Sequence, residues 1–562
     1  MVAIGFGFPR FRRVLIMALG LGLVFYGSLL MFQDPESYAP AMGREHIQNL
    51  KSHLSYYFDE NDNNDNILDS FANTDIDLEG KTLAESVKGV KDEEANHISQ
   101  QFYTPLLRLM NAKKDSIPKL SLTRRATDDK GSVFTKEKLL EYLVIDTDDI
   151  PRLKDIHQEI YDALPDKFPK GLYKGTGIVL IGGGQYSWLS LLSIKSVRSF
   201  GCQLPIEMII PTEEEYEHDL CEEILPALGG SCVLLYNVLG EEVMKEIEFK
   251  GYQYKSLALI ASSFEEVLLL DSDNVLVHNP EAFFEMEPFT STGMVTWPDY
   301  WTRTTSPHLY EIMGINVKNT RVRDGKWPLK TPVELDDISD VSYHDLEGTF
   351  PDLSTESGQL LLRKSDHLKT LLLSLFYNLY GPDFFYPLIS QGFDGEGDKD
   401  TFVLGAIKGG EKFYQVKSEI QSFGWFDEGN FNGVSMGQRN PLNDYEQLKE
   451  IENSENPDYS QFDTRQAPIF TVHANFPKLN PFLLYKEEKL KNSKGEDFRM
   501  YSDISHFLPE PFDFEHVQYK RMKFLLCELN ISLKYFNPIS RAELCEFIEG
   551  HLKFLENNPV MN

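Results

Sequence analysis

The sequence predicts an α/β fold, a Rossmann-like mixed sheet with flanking helices, and three observations carry that expectation. From Gly177 onward, short apolar strand patterns alternate with helix patterns, as crossover-connected strands require. The first strand pattern, Ile178-Val-Leu-Ile181, runs into Gly182, Gly183 and Gly184. Residues 267–270 are apolar throughout, as a strand buried on both faces must be, and end in Asp271-Ser272-Asp273. The i, i+2 spacing puts Asp271 and Asp273 on one side of an extended backbone. They fall at the carboxyl end of a strand, where open α/β sheets place their ligands. Two hard oxygen donors there suit Mn²⁺ or Mg²⁺ carrying a diphosphate. The alternative is a buried strand entering an Asx turn.

The remaining elements follow in order. A helix over 187–200 ends at Gly201, a C′ glycine. A strand over 206–210 stops at Pro211, an acidic helix covers 213–225, and a third strand covers 232–236. A helix over 255–263 delivers the chain into the Asp271 strand. Asn279-Pro280 breaks the chain before a short helix with Phe283 and Phe284. Met294-Val-Thr-Trp297 is a strand ending in Pro298-Asp299-Tyr300-Trp301. Residues 355–363 form the next strand, residues 366–380 a helix, and Gly397-Asp-Lys-Asp-Thr-Phe402 a charged turn into a short helix.

Several stretches carry more than one chemistry. The glycines lack the third glycine of a dinucleotide fingerprint, and Glu207 is poorly placed as a ribose acid, so an oxidoreductase is disfavoured. They let backbone approach a nucleotide beside a helix N-terminus, or they simply turn the chain. Trp297, Asp299 and Trp301 suit sugar recognition, with rings for pyranose faces and a carboxylate for hydroxyls, or they are core. In Phe470-Thr-Val-His473-Ala-Asn-Phe-Pro-Lys478, His473 is either a third metal ligand or a structural histidine, and Lys478 is a candidate phosphate contact.

The 562-residue chain has a net charge of −32, which argues against binding a nucleic-acid backbone. Between Asp59 and Glu94 stand twelve acids and three lysines. Residues 14–32 form a charge-free apolar run long enough to cross a bilayer, preceded by Arg10, Arg12 and Arg13. The positive-inside rule then keeps residues 1–13 cytosolic and the bulk of the chain lumenal. The run exceeds the usual signal-peptide h-region, which favours an uncleaved anchor over cleavage near Ala39-Pro40-Ala41. Residues 33–98 read as an acidic flexible stem, 99–176 as a helical lead-in, 177–480 as the catalytic domain and 481–562 as a helical extension. Within that extension Ser540-x-x-Glu543 is a capping box. All five cysteines are lumenal, and their odd number leaves at least one outside any internal pairing. Asn530-Ile-Ser532 is a glycosylation sequon.

Gly251-Tyr-Gln-Tyr-Lys255, Leu-Leu-Leu-Asp271-Ser-Asp273-Asn-Val and Asn279-Pro280 together resemble the fungal Golgi α-mannosyltransferases of glycosyltransferase family 71. Trp297-Pro-Asp-Tyr-Trp301, Glu356-Ser-Gly-Gln359 and Gly397-Asp-Lys-Asp-Thr-Phe402 look most like the α-1,2 enzymes that branch the α-1,6 mannan backbone of cell-wall and N-linked glycans. The resemblance runs from about Ile178 to Lys478. It implies a GT-A fold, GDP-mannose as donor, a mannan or N-glycan acceptor, retention of configuration, and a single-pass type II protein of the Golgi membrane, with other mannosyltransferases of a Golgi complex as further partners. By position it makes Asp273 a Mn²⁺ ligand and sets Asp271 at the metal or ribose. Lys255 goes to the donor, where the residue readings above also set Gly182, Gly183 and Lys478, while Trp297, Asp299, Trp301, Glu356 and Gln359 are the acceptor candidates. Asp398 and Asp400 become the catalytic candidates. The His473…Lys478 stretch is similar to the His…Lys motif of glycogenin-type transferases, one residue shorter. Two other readings stay open: an α-1,3-mannosyltransferase of the same family, and a non-catalytic lumenal mannan-binding or scaffold subunit.

Overall fold

A computed structural model describes residues 93–560 apart from 465–466, 502–503 and 510. The segments read from sequence as a cytosolic tail (1–13), a membrane-crossing run (14–32) and, for nearly all its length, an acidic stem (33–98) lie outside the described residues. Among the described residues no helix is long and apolar enough to cross a membrane.

Helices α1 (Glu93–Asn111) and α2 (Asp149–Asp162) precede strand β1 (Thr176–Ile181). Then come α3 (Gln185–Ser199), β2 (Ile206–Ile210), β3 (Gly230–Leu234), α4 (Gln253–Ala261), β4 (Glu266–Leu270), β5 (Asn274–Leu276) and β6 (Met294–Pro298). A hairpin of β7 (Thr320–Asp324) and β8 (Trp327–Glu334) leads to β9 (Thr355–Arg363), α5 (Leu368–Leu379) and α6 (Thr401–Gly409). The chain closes with β10 (Tyr414–Gln415), β11 (Gln421–Asp427), β12 (Asn430–Arg439), β13 (Ile469–His473), α7 (Phe514–Lys523) and α8 (Arg541–Asn557).

The main sheet has seven strands in the order β10-β6-β9-β4-β1-β2-β3. Its β3-β2-β1-β4 half is parallel, as the alternating pattern predicts. Strand β9 is antiparallel to both neighbours, β4 and β6. That reversal matters, because it brings the start of β9 rather than its end to the carboxyl edge of β4. Leu270 pairs with Gln359, and Trp297 with Glu356. Val267, Leu268, Leu269 and Leu270 are all fully buried. They alternate between two hydrophobic layers, Val267 and Leu269 in one and Leu268 and Leu270 in the other. Burying each of these side chains contributes about 1.5–3 kcal/mol.

Helix α3 is buried almost all round. Its serines recur every third residue, and their hydroxyls reach the carbonyls of flanking strands. Ser190 donates to Ile181 O at 2.9 Å, Ser193 to Asn274 O and Ser196 to Leu276 O, both at 2.6 Å. The two last bonds clamp β5, the strand that begins directly after Asp273. A second sheet, β11-β12-β13-β5, lies there and is antiparallel.

Several boundaries differ from the sequence-based expectation. The third strand is Gly230–Leu234, two residues earlier than 232–236, and a short helix occupies Leu235–Leu239. The acidic helix at 213–225 is broken into short turns, with Pro226 inside the last. The lead-in starts with α1 at Glu93, so helix replaces the end of the acidic stem. Tyr103, Leu107 and Met110 of α1 are buried at i, i+4, i+7 spacing, which is what makes this polar-looking segment a helix. The capping box at Ser540 and Glu543 is present. Two disulfides join Cys221 to Cys232 and Cys527 to Cys545, leaving Cys202 buried and free.

Candidate active site

The Asp271-Ser-Asp273 loop leaves β4 and is pinned from two directions. Asp271 N–H donates to Gly358 O at 2.7 Å, and Ala474 N–H donates to Asp273 O at 2.9 Å. Asn274, wholly buried, donates its side-chain amide to Gly358 O at 2.6 Å and to Gln359 Oε1 at 2.7 Å. Strands β9 and β13 therefore hold the loop in one geometry.

Asp271, Asp273 and His473 each present a ligand atom, all within 4.8 Å of one another. His473 Nε2 lies 3.3 Å from Asp273 Oδ1 and 4.0 Å from Asp271 Oδ2. One ion with bonds of about 2.1 Å spans ligands up to about 4.2 Å apart, so these side chains fit it with small adjustment. Two carboxylates and one imidazole suit a divalent cation. Lys478 pairs with Asp273 through Oδ2, leaving Oδ1 facing the histidine.

Behind His473 stands Glu356, with Oε1 3.3 Å from Nδ1. A carboxylate on the far nitrogen of a ligating histidine fixes ring orientation and raises basicity. Glu356 also accepts from Gly358 N–H and from the Gln359 side-chain amide. Burial alone would lower the imidazolium pKa, but Asp273 and Glu356 outweigh it and hold His473 well above its usual value. Burial would likewise raise Asp273, yet His473 and Lys478 hold it far below the ordinary carboxylate range. Asp271, whose burial is less fully compensated, is raised.

Lys255 projects from α4 into the same corner. Its ammonium donates to Asp271 Oδ2 and Ser357 Oγ, both at 2.9 Å, and to Ser357 O at 3.1 Å. It lies 3.7 Å from Asp398 Oδ1. Asp398 Oδ2 is buried without a hydrogen-bond partner, and desolvation pushes this carboxyl up to about 6 despite Lys255. Gly397 lies against the exposed ring of Tyr252.

Asp400, only two residues on, is fully engaged. Its Oδ1 accepts from Arg303 Nη1, Thr355 N–H and Thr355 Oγ1, each at 2.8 Å. Burial would raise its pKa, but Arg303 and Lys399 carry it below the ordinary value. Asp400 thus braces the turn from inside, and of the two catalytic candidates only Asp398 faces the corner with a free oxygen.

The acceptor candidates separate in the same way. Trp297 is fully buried, stacks on Phe470 and donates its indole N–H to Arg439 O, so it is core and offers no sugar platform. Gln359 is also fully buried, and Glu356 serves His473 rather than a sugar. Asp299 is buried and paired with Lys399 at 2.6 Å. Trp301 is half-buried, with the Lys130 ammonium 4.6 Å over its ring. Among the donor candidates, Gly182 is packed against Met208 and Ile210, where a Cβ would sit 2.7 Å from their side chains. Gly183, with φ of +98°, faces the Glu215 carboxylate. Asn530 is exposed, as a glycosylated residue must be.

Sequence reasoning missed Asn274, Ser357, Arg303 and the serine stripe of α3. Only the stripe left a readable signal, its three-residue recurrence.

A mixed α/β sheet with a carboxylate pair at the carboxyl end of its central strand, an imidazole closing a metal-sized triangle and a buried lysine beside it fits a glycosyltransferase. The family described as "Mannosyltransferase putative" matches residues 175–440. The α-1,2-mannosyltransferase MNN21 of Candida albicans is 42% identical over 486 residues, covering 81% of this chain and 72% of that protein. The α-1,2-mannosyltransferase MNN2 of Saccharomyces cerevisiae is 37% identical, covering 75% of this chain and 77% of its own length. The chain belongs to this fungal α-1,2-mannosyltransferase family. Among solved structures, the glycosyltransferase GlyE of Streptococcus pneumoniae TIGR4 is 13% identical, with a TM-score of 0.26 over 44% of this chain and 45% of its own.

Proposed function

We propose that the protein transfers mannose in α-1,2 linkage, with retention, from GDP-mannose to the α-1,6 backbone of mannan or of N-linked glycans. It would act from the lumenal face of the Golgi membrane, held by residues 14–32 as a type II anchor. The observation that carries the catalytic reading is the Asp271–Asp273–His473 triangle beside Asp398, a buried carboxylate with one oxygen unpaired. A divalent ion at the triangle would neutralise charge on the departing diphosphate. Lys478, paired with Asp273, and Lys255, paired with Asp271, add positive charge beside the same position and would favour a bound diphosphate. Glu356 keeps His473 turned toward the carboxylates. Asp398 is the group beside the anomeric carbon, and Asp400, through Arg303 and Thr355, holds the turn that places it.

The test is transfer by the full chain in detergent, with GDP-mannose, Mn²⁺ and an α-1,6-mannose oligosaccharide, the product linkage being read by NMR. An α-1,2 product that disappears with EDTA and in Asp273→Ala is the expected result. A folded protein that binds mannan but transfers nothing would overturn the reading in favour of a scaffold subunit.

A further inference from the structure

The β11–β12 hairpin carries a pair of exposed rings that the proposed chemistry does not use. Phe426 and Phe431 are 66% and 48% exposed, lie directly opposite one another near the hairpin tip, and have ring centroids 5.3 Å apart. Isolated exposed apolar residues are ordinary, but paired rings at a protruding tip are an association liability unless something covers them.

Their position relative to the active corner follows from strand register. Ser422 pairs with Met436, Met436 with His473, and His473 with Asn274. Directly opposed residues of antiparallel strands share a face. Strand β11 alternates without interruption, because the extra residue of the bulge is Val434 on β12. Ser422, Gly424 and Phe426 therefore lie on the face that carries His473. Four residues of strand separate the His473 row from the Phe426 row, about 14 Å.

Between the two rows Gly424 and Gly433 oppose one another, and the Phe431 ring leans back over them, so that a Cβ at Gly424 would fall 2.9 Å from its Cζ. At the inner end, the half-exposed Tyr300 reaches this face and bonds Ser422 Oγ at 2.7 Å. The other face of the hairpin is anchored. Trp425 stacks on Phe498 with centroids 3.7 Å apart, and Ser493 N–H donates to Asp427. A ribbon anchored on its other face thus carries, outward from the His473 row, Ser422 with Tyr300, the glycine pair under the Phe431 ring, and the exposed Phe426–Phe431 pair, with Glu428 at its tip.

The geometry points to a remote acceptor subsite: Phe426 and Phe431 form a stacking platform for a pyranose several units along a chain-like, uncharged glycan whose reacting unit sits at Asp398. This rests on the proposed transferase reading and adds where the polymer runs. Glu428 at the tip favours a neutral chain over a phosphorylated one. Because the rings act far from the bond being made, they contribute uniform binding, lowering KM without altering kcat.

The full chain in detergent, as wild type, Phe426→Ala/Phe431→Ala and Phe426→Tyr/Phe431→Tyr, would be titrated with α-1,6-mannose oligosaccharides from a disaccharide to an octasaccharide. Calorimetric binding with GDP present and steady-state KM are both read. Wild-type affinity should rise with length to a plateau, and the alanine pair should weaken the octasaccharide about five- to tenfold. The disaccharide, the KM for GDP-mannose and kcat should not change, and the tyrosine pair should restore length dependence. Equal affinity for short and long chains in wild type would overturn the proposal, as would an alanine effect uniform across lengths. A loss confined to binding of neutral phosphatidylcholine vesicles would assign the rings to the membrane instead. Calorimetry needs no turnover, so an inactive protein that still binds by length would refute the transferase reading and leave the platform standing.

Discussion

The active corner and the helical lead-in both bury polar groups, but by opposite means. In the corner, Asp271, Asp273, Glu356 and Asp398 face His473, Lys255 and Lys478, so charge is concentrated and only partly balanced. In the lead-in, His157 of α2 stacks on Tyr377 with centroids 5.8 Å apart and bonds its hydroxyl at 2.9 Å. Among the described residues no carboxylate pairs with it, and desolvation pushes its pKa down to about 3. The lead-in keeps its buried histidine neutral, whereas the corner keeps His473 charged until something replaces the proton. Stability is sought in the first region, and reactivity is held ready in the second.

The sharpest way to break this contrast is to remove charge from the corner. Asp273→Ala should reduce transfer by about a thousandfold or more, several kcal/mol of charge stabilisation. In wild type, Mn²⁺ at a hundred times its Kd should raise stability by about 2.7 kcal/mol, and that shift should vanish in the variant. Thermal unfolding with and without the ion checks this, and a retained shift would place the metal elsewhere.

Asp398→Asn and Asp400→Asn then separate two carboxylates two residues apart. Loss of Asp398 should cost about 10²–10³ in transfer. Its folded pKa of about 6 lies above the unfolded value of about 3.9, so holding it ionised at pH 7 is unfavourable. That contribution favours the native state below about pH 3.9 and is lost as pH rises through 6, so the asparagine variant should unfold at a higher temperature at pH 7. Asp400→Asn should do the reverse. It strands the buried Arg303 guanidinium without its carboxylate, which costs about 3–5 kcal/mol. Equal destabilisation by both would show that Asp398 is merely structural.

How much of this was legible depends on how local each cause is. The Asp271 strand, the α3 turn and the 355–363 strand could be read because their patterns lie within a few residues. Asp271, Asp273 and His473 came together as expected, since each sits at a strand end. The antiparallel entry of β9 could not be read, because direction depends on where the excursion after β6 re-enters the sheet. That single fact moved Glu356 from the acceptor to the back of His473, and it buried Gln359. Trp297 misled because an aromatic-rich strand end looks the same whether its ring faces a sugar or Phe470. Asp398 and Asp400 looked equivalent because their difference lies in Arg303, almost a hundred residues away in sequence.

The smallest effect tests the lead-in. Between about pH 3 and 6.5 the unfolded chain protonates His157 while the native state does not, so stability rises with pH across that window. It is therefore lost as pH falls below about 6.5, at up to about 1.4 kcal/mol per unit. His157→Phe loses the Tyr377 bond at every pH but removes this proton. Urea unfolding at pH 6.5 and 5 should show a fall about 1.6 kcal/mol smaller in the variant than in wild type. The corner acts in another window, because His473, held above its usual value, is protonated in both states below about pH 6.5, and the stability this gives is lost only as pH rises. The variant leaves His473 untouched, so a pH dependence that His157→Phe does not flatten would mean that acid sensitivity arises outside the lead-in.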